Sequence, residues 1–289
     1  MVKYNPKDWF GLIFKFHKSG TLQQLLWVLI AYAGYCAAVV YLELTFDEWF
    51  TKSTMQIHSL LGFVIGLFLV FRTNTAYDRW WEGRKQWGAM VNNTRNFAIK
   101  LNAILPQNDT RNRKFFAAII PNYVIALKEH LRDGVKVEEF FELDDIKPEV
   151  LEKSNHIPNS LATHMYKRLT ELYREGTISG DQLFVLDKEI KAFTDILGAC
   201  ERIKNTPIPF SYSLFIKKFI FIYTMTMPFG LVFEFEYWTV LVATFVLYAF
   251  GSIELLAEEI EDPFGEDAND LPTDDLTVKI TDNIKSILC

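Results

Sequence analysis

The side chains that most often carry catalysis or hold metals are few and scattered in this chain. Its five histidines, His17, His58, His130, His156 and His164, follow no ligand spacing such as HExxH. Its three cysteines, Cys36, Cys200 and Cys289, are odd in number and far apart, so they imply neither a disulfide framework nor a zinc pair, and reduced thiols are expected. There is no nucleophile elbow and no phosphate-cradling glycine loop, and the chain is read as a non-enzyme. The densest chemical feature is residues 254–275, ELLAEEIEDPFGEDANDLPTDD, with ten acids and no Lys or Arg. Acids this close repel one another unless a cation or a basic partner is near. A solvated tail, pairing with the basic block at residues 72–114, and cation binding all fit. Calcium requires several oxygens converging from one loop, and the EF-hand spacing is absent.

The second feature is physical. Residues 53–71 run without a charge for about one bilayer thickness, then meet Arg72, Asp78, Arg79, two tryptophans, Glu82, Arg84 and Lys85. Phe63, Leu67 and Phe71 stand at i, i+4 and i+8, on one slowly drifting face of a helix. Gly62 and Gly66 beside them would let a neighbouring helix come close. By periodicity alone, helix packing or lipid contact explains such a stripe more readily than a pore does.

These residues must be positioned by a segregated chain. Half of its 289 residues are hydrophobic, 25 are Phe, and 23% are charged, with a net charge of −6. Apolar and polar blocks therefore alternate. Residues 1–18 mix Lys3, Lys7, Lys15 and Lys18 with aromatics, as an interfacial segment does. Residues 19–42 form a first uncharged span, the acidic 43–52 connection follows, and residues 53–71 form the second. Residues 219–233 and 237–253 are two shorter apolar runs, separated by a turn carrying Glu234 and Glu236.

Residues 72–114 hold nine Lys or Arg against three acids, which places that side in the cytoplasm and the acidic turns outside. Residues 78–210 read as helical, with Ser179 and Gln182 forming a capping box and prolines at 148, 158, 207 and 209 marking breaks. The expected architecture is all-α. An interfacial N-terminus and two membrane helices occupy residues 1–77, a cytosolic helical domain 78–210, two further membrane helices 211–262, and an acidic cytosolic segment 263–289.

Three strings carry a resemblance: FRTNTAYDRWWEGRKQWG at residues 71–88, the Ile208–Pro209 pair, and IEDPFGED at residues 260–267. In this order, with four spans around them, the sequence resembles the bacterial branch of the bestrophin family of ion channels. The resemblance implies a homopentamer around an axial pore in the cell membrane, with both termini cytoplasmic. Its partners would be copies of itself, the bilayer and permeating small ions, with no nucleic acid. It places Phe63, Leu67 and Phe71 at a hydrophobic neck and Ile208 at a second restriction on the cytosolic side. Asp267 and Asp270 match acidic ligands of the calcium loop of animal members, and Asp262 stands where those members usually have asparagine. A possible calcium site thus comprises Asp262, Asp267 and Asp270, and no other cofactor is implied. The family points to chloride and other small anions. A sodium-type cation channel of the same fold, or a non-conducting membrane scaffold or sensor, are the alternatives.

Overall fold

The computed structural model describes residues 20–46, 55–144 and 146–289. The predicted interfacial segment and most of the connection before the second span lie outside these residues. Every α-helical or strand element among the described residues is a helix: α1 (Gly20–Thr45), α2 (Met55–Ile104), α3 (Thr110–His130), the short α4 (Pro148–Glu152), α5 (Ile157–Arg174), α6 (Gly180–Asn205), α7 (Phe210–Phe235), α8 (Trp238–Glu261) and α9 (Thr273–Leu288). Four apolar stretches are long enough to cross a membrane. They lie in α1, in α2, in the run Gly180–Phe235 and in α8. Within Gly180–Phe235, the Thr206–Pro209 break separates α6 from the apolar α7.

The chain divides into two compact units. In one, α1 packs on α8 and α7, and α7 on α8. Its core joins Tyr32 and Cys36 of α1, Ile65 and Leu69 of α2, Ile216, Ile220, Tyr223, Met227 and Leu231 of α7, and Ala243 of α8. Helix α7 contains Pro228. Proline has no N–H to give the carbonyl four residues earlier, which is that of Thr224. Tyr32 answers this loss: its hydroxyl donates to Thr224 O at 2.6 Å, and the Tyr35 hydroxyl donates to Met225 O at 2.7 Å. Gly62 faces Tyr223, whose hydroxyl lies 2.7 Å from where a Cβ would stand, while Gly66 has open space. Of the two glycines expected to admit a close neighbour, Gly62 does so. The turn between α7 and α8 is tight, and Glu236 takes a positive φ of 45° to make it.

The other unit comprises Trp80–Thr206 and Asp262–Cys289. The acidic C-terminal segment thus packs with the central helices instead of trailing as a separate tail. Its core gathers Trp87, Phe97, Phe116, Tyr123 and Phe193 with Phe264, Leu271, Ile280 and Ile284. Helix α9 packs on α3, α3 on α5, and α5 on α6. Helix α6 opens with the capping box, Ser179 Oγ accepting from Gln182 N–H and the Gln182 side chain accepting from Ser179 N–H. Helix α5 opens on His156, whose Nδ1 accepts from Asn159 N–H.

Candidate pore stripe and acidic loop

Helix α2 presents two opposed faces in the apolar unit. His58, Ile65, Leu69, Arg72 and Ala76 recur at helical spacing and are buried. Phe63, Leu67 and Phe71 lie on the other side and are 66%, 45% and 61% exposed. Packing within the chain therefore consumes one face of α2 and leaves the large apolar stripe open.

Arg72 follows Phe71 directly and is only 1% exposed. Its Nη2 lies 2.7 Å from Glu261 Oε2, and its Nε lies 3.5 Å from Glu254 Oε1. One helical turn back along α8 from Glu258, neither oxygen of the buried Glu254 carboxylate has a hydrogen-bond partner, and the nearby charges of Arg72 and Lys217 are what favour its ionised form. Glu261 has a second duty: its Oε1 accepts the Ile208 N–H at 2.7 Å. Arg79, two turns along α2 from Arg72, donates from Nε to the Glu261 carbonyl oxygen, satisfying the C-terminal end of α8. The acidic stretch thus does pair with the basic block, through Arg72. Ile208 is 8% exposed, so its side chain is largely covered within the chain itself. Of the four positions that the resemblance links to a pore, the three on α2 offer an open apolar surface.

In the collar, Glu82 pairs with Lys85 at 2.5 Å and accepts from Gln86. Trp80 donates its indole N–H to Asn269 O at 2.9 Å and stacks on Trp81.

The acidic loop is a braced turn of the second unit. Leu271 N–H donates to Pro263 O, and Asp270 Oδ2 accepts from Asp267 N–H at 2.7 Å. Asp270 is buried, whereas Asp262 and Asp267 are exposed. Gly265 is required here, because a Cβ would sit 2.7 Å from Asp270 Oδ2, and Gly83 of α2 leaves room for Pro263 and Phe264. Arg132 fastens the loop by donating to Phe264 O, Thr273 Oγ1 and both Asp274 oxygens. Hydrogen bonding to Arg132, against some burial and with Lys128 assisting, pulls the Asp274 carboxyl down to about 2.

Among the described residues, the His, Cys, Asp and Glu side chains that meet as a potential ligand set are His130, His156 and Glu201, not the loop aspartates. No sequence spacing announces this trio, since its members come from the end of α3, the start of α5 and the interior of α6.

Four apolar helices, one of them with a bulky stripe left uncovered, define an all-helical membrane protein. The chain belongs to the bestrophin family: residues 1–286 match the model of the Bacterial/Fungal Bestrophin protein. It is 35% identical to the voltage-dependent anion channel-forming protein sll1024 of Synechocystis over 84% of this chain and 81% of that one. It is 32% identical to the voltage-dependent anion channel-forming protein YneE of Escherichia coli K12, covering 95% and 90%. Among solved structures, a bacterial bestrophin homolog from Klebsiella pneumoniae superposes with a TM-score of 0.85 at 27% identity, covering 91% of this chain and 98% of that one.

Proposed function

We propose that this protein is a homopentameric ion channel of the cell membrane, passing small anions through a neck ringed by Phe63, Leu67 and Phe71. The observation that carries the reading is the uncovered stripe on α2, opposite a face fully used in packing. An apolar ring offers nothing to replace an ion's hydration shell, so it gates by drying, and small changes in radius switch it. The names of the relatives supply the anion preference. The excess of Lys and Arg in residues 72–114 supports a cytoplasmic side for the helical unit and for both termini. The second restriction at Ile208 rests on the resemblance, with the Glu261 carboxylate holding that turn by accepting the Ile208 N–H. Calcium at Asp262, Asp267 and Asp270 would require the exposed Asp262 and Asp267 to turn toward Asp270, which already serves the Asp267 N–H.

A second reading has an observation of its own. Glu234 and Glu236 are exposed at the α7–α8 turn, where acids would concentrate cations at the outer mouth. Reversal potentials of the purified protein in a bilayer under a salt gradient separate the two. A potential near the chloride equilibrium value supports the anion channel, and one near the cation value supports the alternative. An assembled oligomer that passes no small ion leaves a membrane scaffold.

A further inference from the structure

We infer that His130, His156 and Glu201 form a binding site for a zinc-class divalent transition-metal ion, independent of conduction. His130 Nε2 lies 2.7 Å and His156 Nε2 lies 2.8 Å from the same oxygen, Glu201 Oε1. The two imidazole rings lie 4.5 Å apart between centroids, tilted by 43° to one another. All the donor atoms lie within 4.8 Å of one another. Two imidazoles converging on one carboxylate oxygen from separate helices is a two-nitrogen, one-oxygen donor set. Imidazole with carboxylate suits zinc and its neighbours, while calcium and magnesium prefer oxygen alone.

The site is accessible. The three side chains are each about one-third exposed, at 31%, 30% and 29%, so an ion can enter and water can supply the remaining ligand. A tetrahedral zinc ion with bonds of about 2.0–2.2 Å places its ligand atoms about 3.3 Å apart. The nitrogens must therefore draw back from Glu201 Oε1 by about half an ångström, within reach of small side-chain rotations. Partial burial works against a charged Glu201 carboxyl, but hydrogen bonds from His156 and His130 more than offset it and hold it below its ordinary value. The carboxylate is thus already in its ligand form.

Coordination has one local cost. In the metal-free arrangement His156 Nδ1 accepts from Asn159 N–H at 3.3 Å, which leaves the ring proton on Nε2. Zinc needs the Nε2 lone pair, so that proton moves to Nδ1 and the helix cap is released. The capping contact is long and weak beside an imidazole–zinc bond. In exchange the ion ties the end of α3, the start of α5 and α6 to one point.

The test uses the full-length protein in detergent with Cys289→Ser, which removes the exposed thiol as a competing ligand. Zn2+ is titrated by calorimetry, and Co2+ is titrated by visible absorption. One ion per chain should bind, with a nitrogen–oxygen cobalt spectrum free of thiolate charge transfer, and Zn2+ should raise Tm while Mg2+ and Ca2+ do not. His156→Asn keeps a side-chain helix cap while removing the ligand, and should weaken zinc binding at least about tenfold. His130→Gln should do the same from another helix, so the result does not depend on one variant folding. Zinc affinity unchanged in both variants, or no stoichiometric binding to the parent, overturns the site. Loss of ion flux elsewhere in the molecule would leave it untouched.

Discussion

The guanidinium of Arg72 and the carboxylate of Glu261 lie 2.7 Å apart, with the arginine almost wholly out of solvent. Through the other Glu261 oxygen this pair also holds the Ile208 N–H. The last stripe residue, Phe71, and the Ile208 turn are therefore attached to one buried ion pair by a single covalent step and a single hydrogen bond.

Removing one member of a buried pair leaves the other desolvated and uncompensated. Arg72→Ala strands Glu261 and Glu254 together and should destabilise the protein by about 3–5 kcal/mol. Glu261→Gln keeps an oxygen for Ile208 N–H and should cost less. Thermal unfolding in detergent measures both, and an Arg72→Ala variant within about 0.5 kcal/mol of the parent contradicts the buried pair.

Opening the stripe should raise conduction. If the proposed neck is right, Phe63→Ala or Phe71→Ala widens it and lets water enter, so flux from liposomes should rise severalfold. Both side chains are exposed in the protomer, so the substitutions leave its core intact. Unchanged flux in an intact oligomer would place the stripe against lipid.

Tyr32 should matter only because of Pro228. Tyr32→Phe leaves the Thr224 carbonyl without a donor and should cost about 0.6–1.7 kcal/mol, the range for hydrogen bonds between membrane helices. Pro228→Ala restores an N–H to that carbonyl. In the Pro228→Ala background the Tyr32→Phe penalty should therefore shrink toward zero. Additive penalties in the double-mutant cycle would show that the tyrosine serves packing alone.

The Asp274 carboxyl is held at about 2, below its ordinary 3.8. A lowered folded-state value contributes stability that is complete above the unfolded value and is lost as pH falls through about 2. Asp274→Asn should thus be less stable at neutral pH, by about 1 kcal/mol or less because the side chain is 61% exposed. The two stability curves should converge between about pH 4 and pH 2. A gap independent of pH would assign the loss to something other than charge.

Several features were legible because they depend on local order. The capping box at Ser179 and Gln182 needs only a three-residue spacing, and the structure contains it. The four apolar stretches follow from hydropathy, although α7 and α8 extend past the short runs by drawing flanking residues such as Lys217 and Glu258 into the helix, where they pair at 2.9 Å. The collar was less legible. Trp80 and Glu82 have ordinary membrane-edge readings, and their partners, Asn269 and Lys85, depend on which way each faces on α2.

The amino-acid order alone determined that this chain is helical, that its first two apolar blocks are long enough for a bilayer, and that Phe63, Leu67 and Phe71 share a face, because all three follow from a 3.6-residue period and from runs of uncharged side chains. It also carried the strings by which the family is recognised. Only the tertiary structure decided which face of α2 is spent on packing, that Ile208 is covered while Phe71 is open, and that His130, His156 and Glu201 meet. Those outcomes depend on helices remote in sequence arriving at one place, and a one-dimensional pattern carries no distance between them.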